Sequence, residues 1–597
     1  MNTTPTPAVA RTWGRTEDNP RTAAAWAEDD PGDGVVAPRD GDADGNGRPD
    51  GRHFAMPQDT GMRMRAVVRA VRTRAPSRPQ PPARTPKPQL EVPAPTAEAA
   101  PPEPAERTFA SSWRQRRPWM IVAALVVVGL AVRVVLMRSI WVDEAISIHQ
   151  AHMSLGGMLD NLRATDRHPP LHYLILWLVV RLFGDGELAV RGPSILASAA
   201  LIPVLFVTGR ELFDRRTGLV AAGFATFAPL IVWYGQEARM YSLFMLLGAV
   251  ALWAQVKVLR DGRNRYWVAY AGVTIALLYT HYFALIPIAI QQVVFAVAAW
   301  KRSHAGLPVR NLVIGIWLTW LALLVAAAPL ASFAAEQFSH SQTAGMGFGG
   351  APSAAAPLSI PGSSASLYAI LSNFVWAIWG YHANSTMLRI AALWPLLMLL
   401  SLALMGQRRS DWTRVVLALA LGPVLLLLFV GLVKRDLFEV RYFVATVPMM
   451  MLLLARSVAG GPRRRTPAIV ATAVLGLTLV IGLADQQLNP NNPRDFDFRG
   501  ALEQIRSEAK PGDTVLYAPD YLRDVVGYYS PGVRTEALSD AEAHGMPKGG
   551  HVFLMGSFLD DPGIAAQVGM GRYDLSRRPH KLIRTINRKR IHIWEYS

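Results

Sequence analysis

The sequence predicts an α-helical polytopic membrane protein with about eleven transmembrane helices, further interfacial helices, and a small extracytoplasmic α/β domain at its C-terminal end. Three observations carry that expectation. Apolar runs recur from Trp119 to about Leu483, most of them near the roughly 20 residues that a helix needs to cross a hydrocarbon core. Lys and Arg concentrate in the short segments between alternate runs, as they do in cytoplasmic loops. After Asp485 the chain turns polar, with helix-like and strand-like stretches in succession.

Composition narrows the class. Of 597 residues, 51% are hydrophobic and 18% charged, and the mean hydropathy is +0.19. That balance fits a membrane protein with polar appendages. The 61 Lys and Arg against 44 Asp and Glu leave a formal charge of +17. In a soluble chain this excess points to nucleic acid. Here many of the basic residues sit in short loops, where they set orientation. Anionic membrane lipids are therefore the expected partner, and nucleic acid is not. The chain has no cysteine, which excludes disulfides and thiolate metal sites.

Residues 1–112 are rich in Pro, Ala, Arg, Asp and Gly, and "PSRPQPPARTPKPQ" is an extended, Pro-rich stretch. Such a segment buries too little apolar surface to offset its ordering entropy and reads as a disordered tail. It is too long and too polar for a cleavable signal peptide. The membrane domain, 113–485, holds candidate spans at 118–138, 189–208, 217–234, 240–259, 266–283, 284–300, 311–333, 387–405, 413–433, 441–457 and 466–484. "RQRRPW" before the first span places the tail in the cytoplasm, and "GRELFDRRTG", "LRDGRNR", "KRSHAGLPVR", "GQRRS" and "GGPRRR" follow on that side. The long loop 334–365 contains no Lys or Arg, as the opposite face requires. Two apolar stretches, 171–183 and 366–380, disturb the alternation. Both read as interfacial or re-entrant helices, with tilted true spans as the alternative. Eleven spans leave the C-terminal end outside a plasma membrane. In 486–597, "FDFRGALEQIRSEAKPGDTVLYAP" reads as helix, turn and strand, and "HVFLMG" and "RKRIHIWEYS" as strands. This makes an ordinary-sized external α/β domain, in which no nucleotide-phosphate loop is visible.

With this topology the first external loop carries Asp143 and Glu144 in "RSIWVDEAIS", then "DRHPPLHY" from Asp166 to Tyr173. The second carries "YGQEARMY" with Glu237 and Arg239, and the third His281 and Tyr282. Glu336 and His340 follow in the long loop, and "KRDLFEVRY" with Lys434, Arg435, Arg441 and Tyr442 in the last turn. Acids, histidines and arginines thus gather at one membrane face, while the spans between are nearly free of charge. Sugar transfer from a lipid phosphate needs a carboxylate to take the acceptor proton. It also needs cations for the departing phosphate. Asp143 can supply the first, and Arg239, Lys434, Arg435, Arg441 and His168 the second. Each has a plainer reading beside it. Two loop carboxylates are often only solvated, and Pro169 and Pro170 make a rigid lead-in to a helix. Arg441 can anchor a helix end by snorkelling, and Glu237 can pair with Arg239. His168 and His172 have a spacing that binds metal on a helix, in a register that the prolines disturb.

Taken in order, "WVDEAIS … RHPPLHYLILWLVVRLFGDGELAVRGPS … GRELFDRRTGLVAAGFATFAPLIVWYGQEARMYSL" resembles the GT-C membrane glycosyltransferases. The nearest type is the bacterial family-39 kind, similar to protein O-mannosyltransferases and lipid A aminoarabinose transferases. The likeness covers about 118–300 well and the later spans loosely. It implies a polyprenyl-phosphate sugar donor and an inverting reaction on the extracytoplasmic face. An acid of the first external loop then serves as base, which here is Asp143 with Glu144 beside it. It implies His168 and the outer-end Arg441 and Tyr442 near the donor phosphate, and a membrane-parallel helix after the "RHPPLH" motif. Related enzymes often carry an acid in the second external loop. Here that place falls to Glu237 or is taken by Arg239, so no cofactor is implied with certainty and a divalent metal stays open. The sugar (mannose-like or a pentose) and the acceptor (protein, glycolipid or wall glycan) are not specified. The rival reading is a transporter or flippase of lipid-linked sugars, for which paired halves and midplane polar residues are the sign; neither is evident. A binding subunit that keeps the scaffold without catalysis is a third.

Overall fold

In a computed structural model, the structure describes residues 105–343, 410–433, 440–459, 465–489, 495–530, 532–577 and 580–597, with Gly380 and Asn492 singly. The interfacial stretch 366–380, save Gly380, and the span 387–405 lie outside the described residues, as do Lys434 and Arg435. The first helix, α1, is Ala105–Val135 and so begins within the stretch read as polar tail. Two short helices follow, α2 (Val142–His152) and α3 (Leu155–Thr165), then α4 (Leu171–Phe183), a helix with the bounds of the first disturbing apolar stretch. Next come α5 (Glu187–Leu212), α6 (Arg215–Phe227), α7 (Pro229–Gly235), α8 (Tyr241–Asp261) and α9 (Asn264–Thr280). They are followed by α10 (Leu285–His304) and α11 (Arg310–Thr343). Three more helices, Asp411–Val433, Val447–Ala459 and Arg465–Leu488, complete the bundle. Among the described residues, six helices are long and apolar enough to cross a membrane, or seven with the bent pair α6 and α7.

Three expectations are corrected in detail. The span 217–234 is not continuous: α6 and α7 meet at a bend of 57°. The cause is local, because Pro229 has no N–H to donate and its ring crowds the preceding turn. The span 441–457 opens as a 3₁₀ turn, Val440–Thr446, before its α-helix begins. The outer loop expected from 334 starts later, since α11 continues to Thr343.

The break in α6 exposes carbonyls that an intact helix would use, and a buried arginine answers them. Arg133, near the C-terminal end of α1, is fully buried. Its guanidinium donates to Ser198 Oγ at 2.7 Å and to the carbonyls of Gly129 (2.8 Å), Ala225 (3.4 Å) and Thr226 (3.5 Å). A cation at the C-terminal end of α6 also meets the negative end of its dipole. Gly235 leaves the room: a Cβ there would lie 2.8 Å from Ser198 Oγ and 3.1 Å from Arg133 Nε. The direction of α7, and so of the loop that follows it, is set by this contact.

The C-terminal region forms a five-stranded sheet from β1 (Thr514–Ala518), β2 (Arg534–Ala537), β3 (Val552–Ser557), β4 (Leu582–Arg588) and β5 (Ile591–Tyr596). Its order is β2-β1-β3-β5-β4. β1 runs parallel to β2 and β3, and β5 antiparallel to β3 and β4. The helices Leu538–His544 and Pro562–Ser576 pack around Leu516, Leu554 and Trp594 on one face. The other face is not closed by the region's own residues alone. Phe498, Val515, Phe553 and Ile593 share one buried cluster with Ile140, Val142, Ala145, Ile148 and Leu176 of the first external loop. The α/β layer and that loop therefore have a common core.

Helices α5 and α6 touch backbone to backbone. A Cβ on Gly209 would lie 2.8 Å from the Gly218 Cα, and one on Gly218 would overlap the Phe206 carbonyl. Small residues allow this close approach in a membrane bundle. Gly218→Ala is expected to force the pair apart and cost about 1–3 kcal/mol, read as a lower thermal unfolding midpoint in detergent; an unchanged midpoint would contradict the contact.

Candidate active site at the outer mouth of the bundle

Helix α2 starts where the chain leaves α1. The Trp141 N–H is received by the Glu144 carboxylate at 2.9 Å, and two acids in the first turn suit the positive end of the helix dipole. Neighbours in sequence, Asp143 and Glu144 point into different surroundings. Glu144 is 1% exposed. Its Oε1 accepts from Arg191 Nε at 2.8 Å and from the Ala238 N–H at 2.7 Å, and its Oε2 accepts from Arg191 Nη2 at 2.7 Å. Arg191 also donates to the carbonyls of Arg138 (2.6 Å) and Ser139 (3.0 Å). With its oxygens so engaged, Glu144 ties α2, α5 and the second external loop together. This corrects its expected place beside Asp143 as a reacting group. Asp143 is partly exposed, and its carbonyl accepts from Ser147 Oγ at 2.8 Å.

Behind Asp143 lies a continuous polar network. Arg239, 5% exposed, donates from Nη1 to Ser147 Oγ (2.7 Å), Tyr173 Oη (3.2 Å) and the Asp143 carbonyl (3.4 Å). Tyr173 donates in turn to Asp166 Oδ2 at 2.8 Å. Asp166 Oδ1 is 2.8 Å from His168 Nδ1 and accepts from the His168 N–H at 3.0 Å. Burial pushes the Asp166 carboxyl up, but the hydrogen bond and charge of His168, with the charge of Arg239, outweigh it and hold the group well below the usual carboxylate range. For Arg239 the attraction of Tyr173 and Asp143 outweighs burial, so the guanidinium stays charged. His172 takes no part in this network. Its Nε2 is 3.0 Å from the Ala238 carbonyl and must carry the proton. Burial, then the charge of Arg239, lower its pKa from 6.5 to about 3.

The third external turn completes the wall. His281 stacks on Phe244 with ring centroids 4.9 Å apart and lies 5.7 Å from His168 and 6.4 Å from Tyr442. Gln337 on α11 donates to the carbonyls of Leu162 (2.9 Å) and His168 (3.1 Å) and receives Tyr282 Oη at 2.7 Å. The structure thus brings Asp143, His168, Arg239 and Tyr442 to one face, with the unassigned Asp166, Tyr173 and Ser147 between them. Arg441 lies in the 3₁₀ turn beside Tyr442, and its side chain is not among those described. Glu237 departs from the group. It lines a separate, narrow cleft with Arg138, Trp141, Trp233 and Asp495. Nor do His168 and His172 share a ligand position, since one faces Asp166 and the other the Ala238 carbonyl. Among the described residues, no three His, Asp or Glu side chains converge to hold a metal ion. Arg191 left one sequence signal, a lone charge inside an apolar run. Asp166 was visible only as a neighbour of His168.

Two outcomes follow from these contacts. Glu144→Ala removes the nearer of the two carboxylates of buried Arg191, leaving Glu187 at 3.6 Å, and is expected to cost up to about 3–5 kcal/mol, measured by thermal unfolding in lipid nanodiscs. His172 has a depressed folded pKa, so the unfolded chain binds the extra proton first. Its contribution is complete above pH 6.5 and is lost as pH falls from there toward about 3. His172→Asn should flatten the decline of the unfolding midpoint in that window, while the Asp166 contribution is lost only at lower pH. An unchanged pH profile would refute the buried neutral state.

Residues 167–332 match the model of a family described as dolichyl-phosphate-mannose-protein mannosyltransferase; Asp143 lies upstream of that segment. Among curated proteins no sequence matches the chain. Among solved structures, ArnT from Cupriavidus metallidurans bound to undecaprenyl phosphate is similar at 11% identity over 80% of this chain and 98% of that one, with a TM-score of 0.46. The Archaeoglobus fulgidus oligosaccharyltransferase in its apo form gives 12% identity, 71% and 64% coverage, and a TM-score of 0.45. The S. cerevisiae Pmt1-Pmt2 protein O-mannosyltransferase complex gives 16% identity, 38% and 34% coverage, and a TM-score of 0.31. The segment that holds His168, Arg239 and His281 is thus similar to the family of protein mannosyltransferases that use a dolichyl-phosphate mannose donor.

Proposed function

We propose that this protein is an inverting glycosyltransferase that moves one sugar, mannose-like or a pentose, from a polyprenyl phosphate to an extracytoplasmic hydroxyl. The acceptor is a protein, a glycolipid or a cell-wall glycan. The observation that carries the reading is a partly exposed carboxylate, Asp143, close enough to a buried cation, Arg239, for their charges to attract, at one end of an apolar bundle. The family match supports a lipid-phosphate donor. About eleven spans, with the N-terminal tail in the cytoplasm and the C-terminal layer outside, put this face on the extracytoplasmic side.

In this reading Asp143 accepts the proton of the acceptor hydroxyl as its oxygen bonds to the anomeric carbon. The bond from that carbon to the phosphate oxygen breaks, and the polyprenyl phosphate leaves with the electron pair. Arg239 and His168 face the developing negative charge, with Lys434, Arg435, Arg441 and Tyr442 as further donors from the last outer turn. Fixed donors aimed at a developing anion need no reorganisation during the step. The Asp166 carboxylate holds His168 in place, and Glu144 holds the loop that carries Arg239. The cations assigned to the phosphate are side chains, so the reading assigns no metal ligand.

The test is transfer by purified protein in lipid, with labelled polyprenyl-phosphate sugars, envelope acceptors, and arms with and without chelator. Asp143→Asn keeps the shape of the side chain and removes the base. Transfer should fall about 10²- to 10⁴-fold while donor binding persists. Equal transfer by wild type and variant would remove Asp143 from the mechanism. Donor carried across the bilayer without transfer would favour a transporter, and loss in the chelator arm would call for a metal.

A further inference from the structure

Residues 138–140 lie in the link between α1 and α2 and lead through Trp141 into the first turn of α2, which carries Asp143. The bundle holds them from one side, where Arg191 donates to the Arg138 and Ser139 carbonyls. The C-terminal layer holds the same three residues from the other. Tyr529 Oη receives the Ile140 N–H at 2.7 Å. Arg499 donates from Nη2 to the Arg138 carbonyl and from its backbone N–H to Ser139 Oγ, both at 3.2 Å. Ser139 Oγ donates in turn to Asp497, the N-cap of the helix Phe498–Glu508, at 3.4 Å. The two sets of contacts meet at Glu187, in the first turn of α5. Its carboxylate accepts from Tyr529 Oη and Arg499 Nε, each at 2.8 Å, and again from Arg499 Nη2. It also lies 3.6 Å from Arg191, the partner of Glu144.

We infer that Tyr529 and Arg499 are positioning residues for transfer: through Glu187 and the backbone of 138–140, the C-terminal layer fixes where Asp143 stands. The consequence for transfer rests on Asp143 as the base of the proposed reaction; the hold on the loop does not. A layer that only shields a site from water needs apolar burial, and the cluster shared by Ile140 and Phe498 already gives that. Directional bonds to the backbone of three consecutive residues do something else. They use backbone groups that water would otherwise satisfy and narrow the conformations open to the lead-in of α2. Tyr529 suits this task, because its hydroxyl accepts one bond and donates another in a single geometry. Burial, then the charge of Glu187, push its pKa up, so it stays a donor across the physiological range. Its neighbour Tyr528 makes a different contact, donating to the Asp185 carbonyl at 2.9 Å, exposed and away from 138–140. A base must stand within hydrogen-bond reach of the hydroxyl it serves. A displacement of a fraction of an ångström there is enough for about a tenfold loss of rate.

The experiment compares Tyr529→Phe with Tyr528→Phe in the full chain in nanodiscs. It reads hydrogen exchange of the backbone amides at 139–143 and transfer from the labelled polyprenyl-phosphate sugars. Each variant loses one hydroxyl from the same helix, so the packing change is matched. Tyr529→Phe should speed exchange at 139–143 and lower kcat about tenfold. The donor KM should stay unchanged, because Arg239 and His168 are held by Ser147, Tyr173 and Asp166. Tyr528→Phe should leave both readouts at wild-type values. Equal effects of the two variants would reduce the contacts to general docking of the layer and overturn the inference. So would unchanged exchange in Tyr529→Phe, faster exchange with an unchanged kcat, or a loss carried entirely by the donor KM. Faster exchange confined to Tyr529→Phe, in a protein whose wild type transfers nothing, would overturn the transferase reading and leave the hold on the loop standing.

Discussion

The buried pair of Glu144 and Arg191 is the constraint on which the outer face depends. Two charges in a site with almost no water are tolerated only when their remaining hydrogen-bonding capacity is used. Here Glu144 also receives Trp141 and Ala238 N–H groups, and Arg191 reaches the carbonyls of Arg138 and Ser139. Six residues, drawn from the segment after α1, from α2, from α5 and from the second external loop, are thereby fixed to one another. Asp143 inherits its position from its neighbour, and Arg239 inherits its own from Ala238. Asp143 and Arg239 are held in register by a pair whose own polar atoms are already engaged.

The same logic operates deeper in the bundle. A proline breaks the helix that leads to the second external loop, and a broken helix in an apolar medium leaves carbonyls in need of donors. Arg133 supplies them without a carboxylate partner. The ends of α7 are thus governed from two sides, by Arg133 at its start and Glu144 just beyond its end. Backbone irregularity is placed where a loop has to be aimed, and charge is used where the backbone has lost its own bonds.

The C-terminal layer extends this arrangement outward. Its helices Phe498–Glu508 and Arg523–Tyr529 share a buried cluster with the sheet and with α2 and α4, so the first external loop is packed from both sides, by the bundle and by the layer. Tyr529 adds direction, receiving the Ile140 N–H at 2.7 Å and donating to Glu187 at 2.8 Å. A loop of this length left in water would sample many conformations. Sandwiched in this way, it presents Asp143 at a defined place beside Arg239.

The sequence by itself determined the class of protein and the course of most of the described helices. Those features rest on local composition: run length sets span, and short apolar runs set the strands at 514–518, 552–557 and 591–596. It also placed Asp143, His168, Arg239 and Tyr442 among the candidates. Only the tertiary structure decided how the candidates divide. Asp143 and Glu144 are equal as letters, yet a turn of about 100° per helical residue sends one toward the mouth and the other into Arg191. Glu237 and Arg239 are two residues apart and line different spaces. Asp166 and Tyr173 gained meaning only when Arg239 came across from another loop. These outcomes depend on contacts between residues far apart in the chain, and on which partner neutralises a buried charge, for which no local pattern carries a signal.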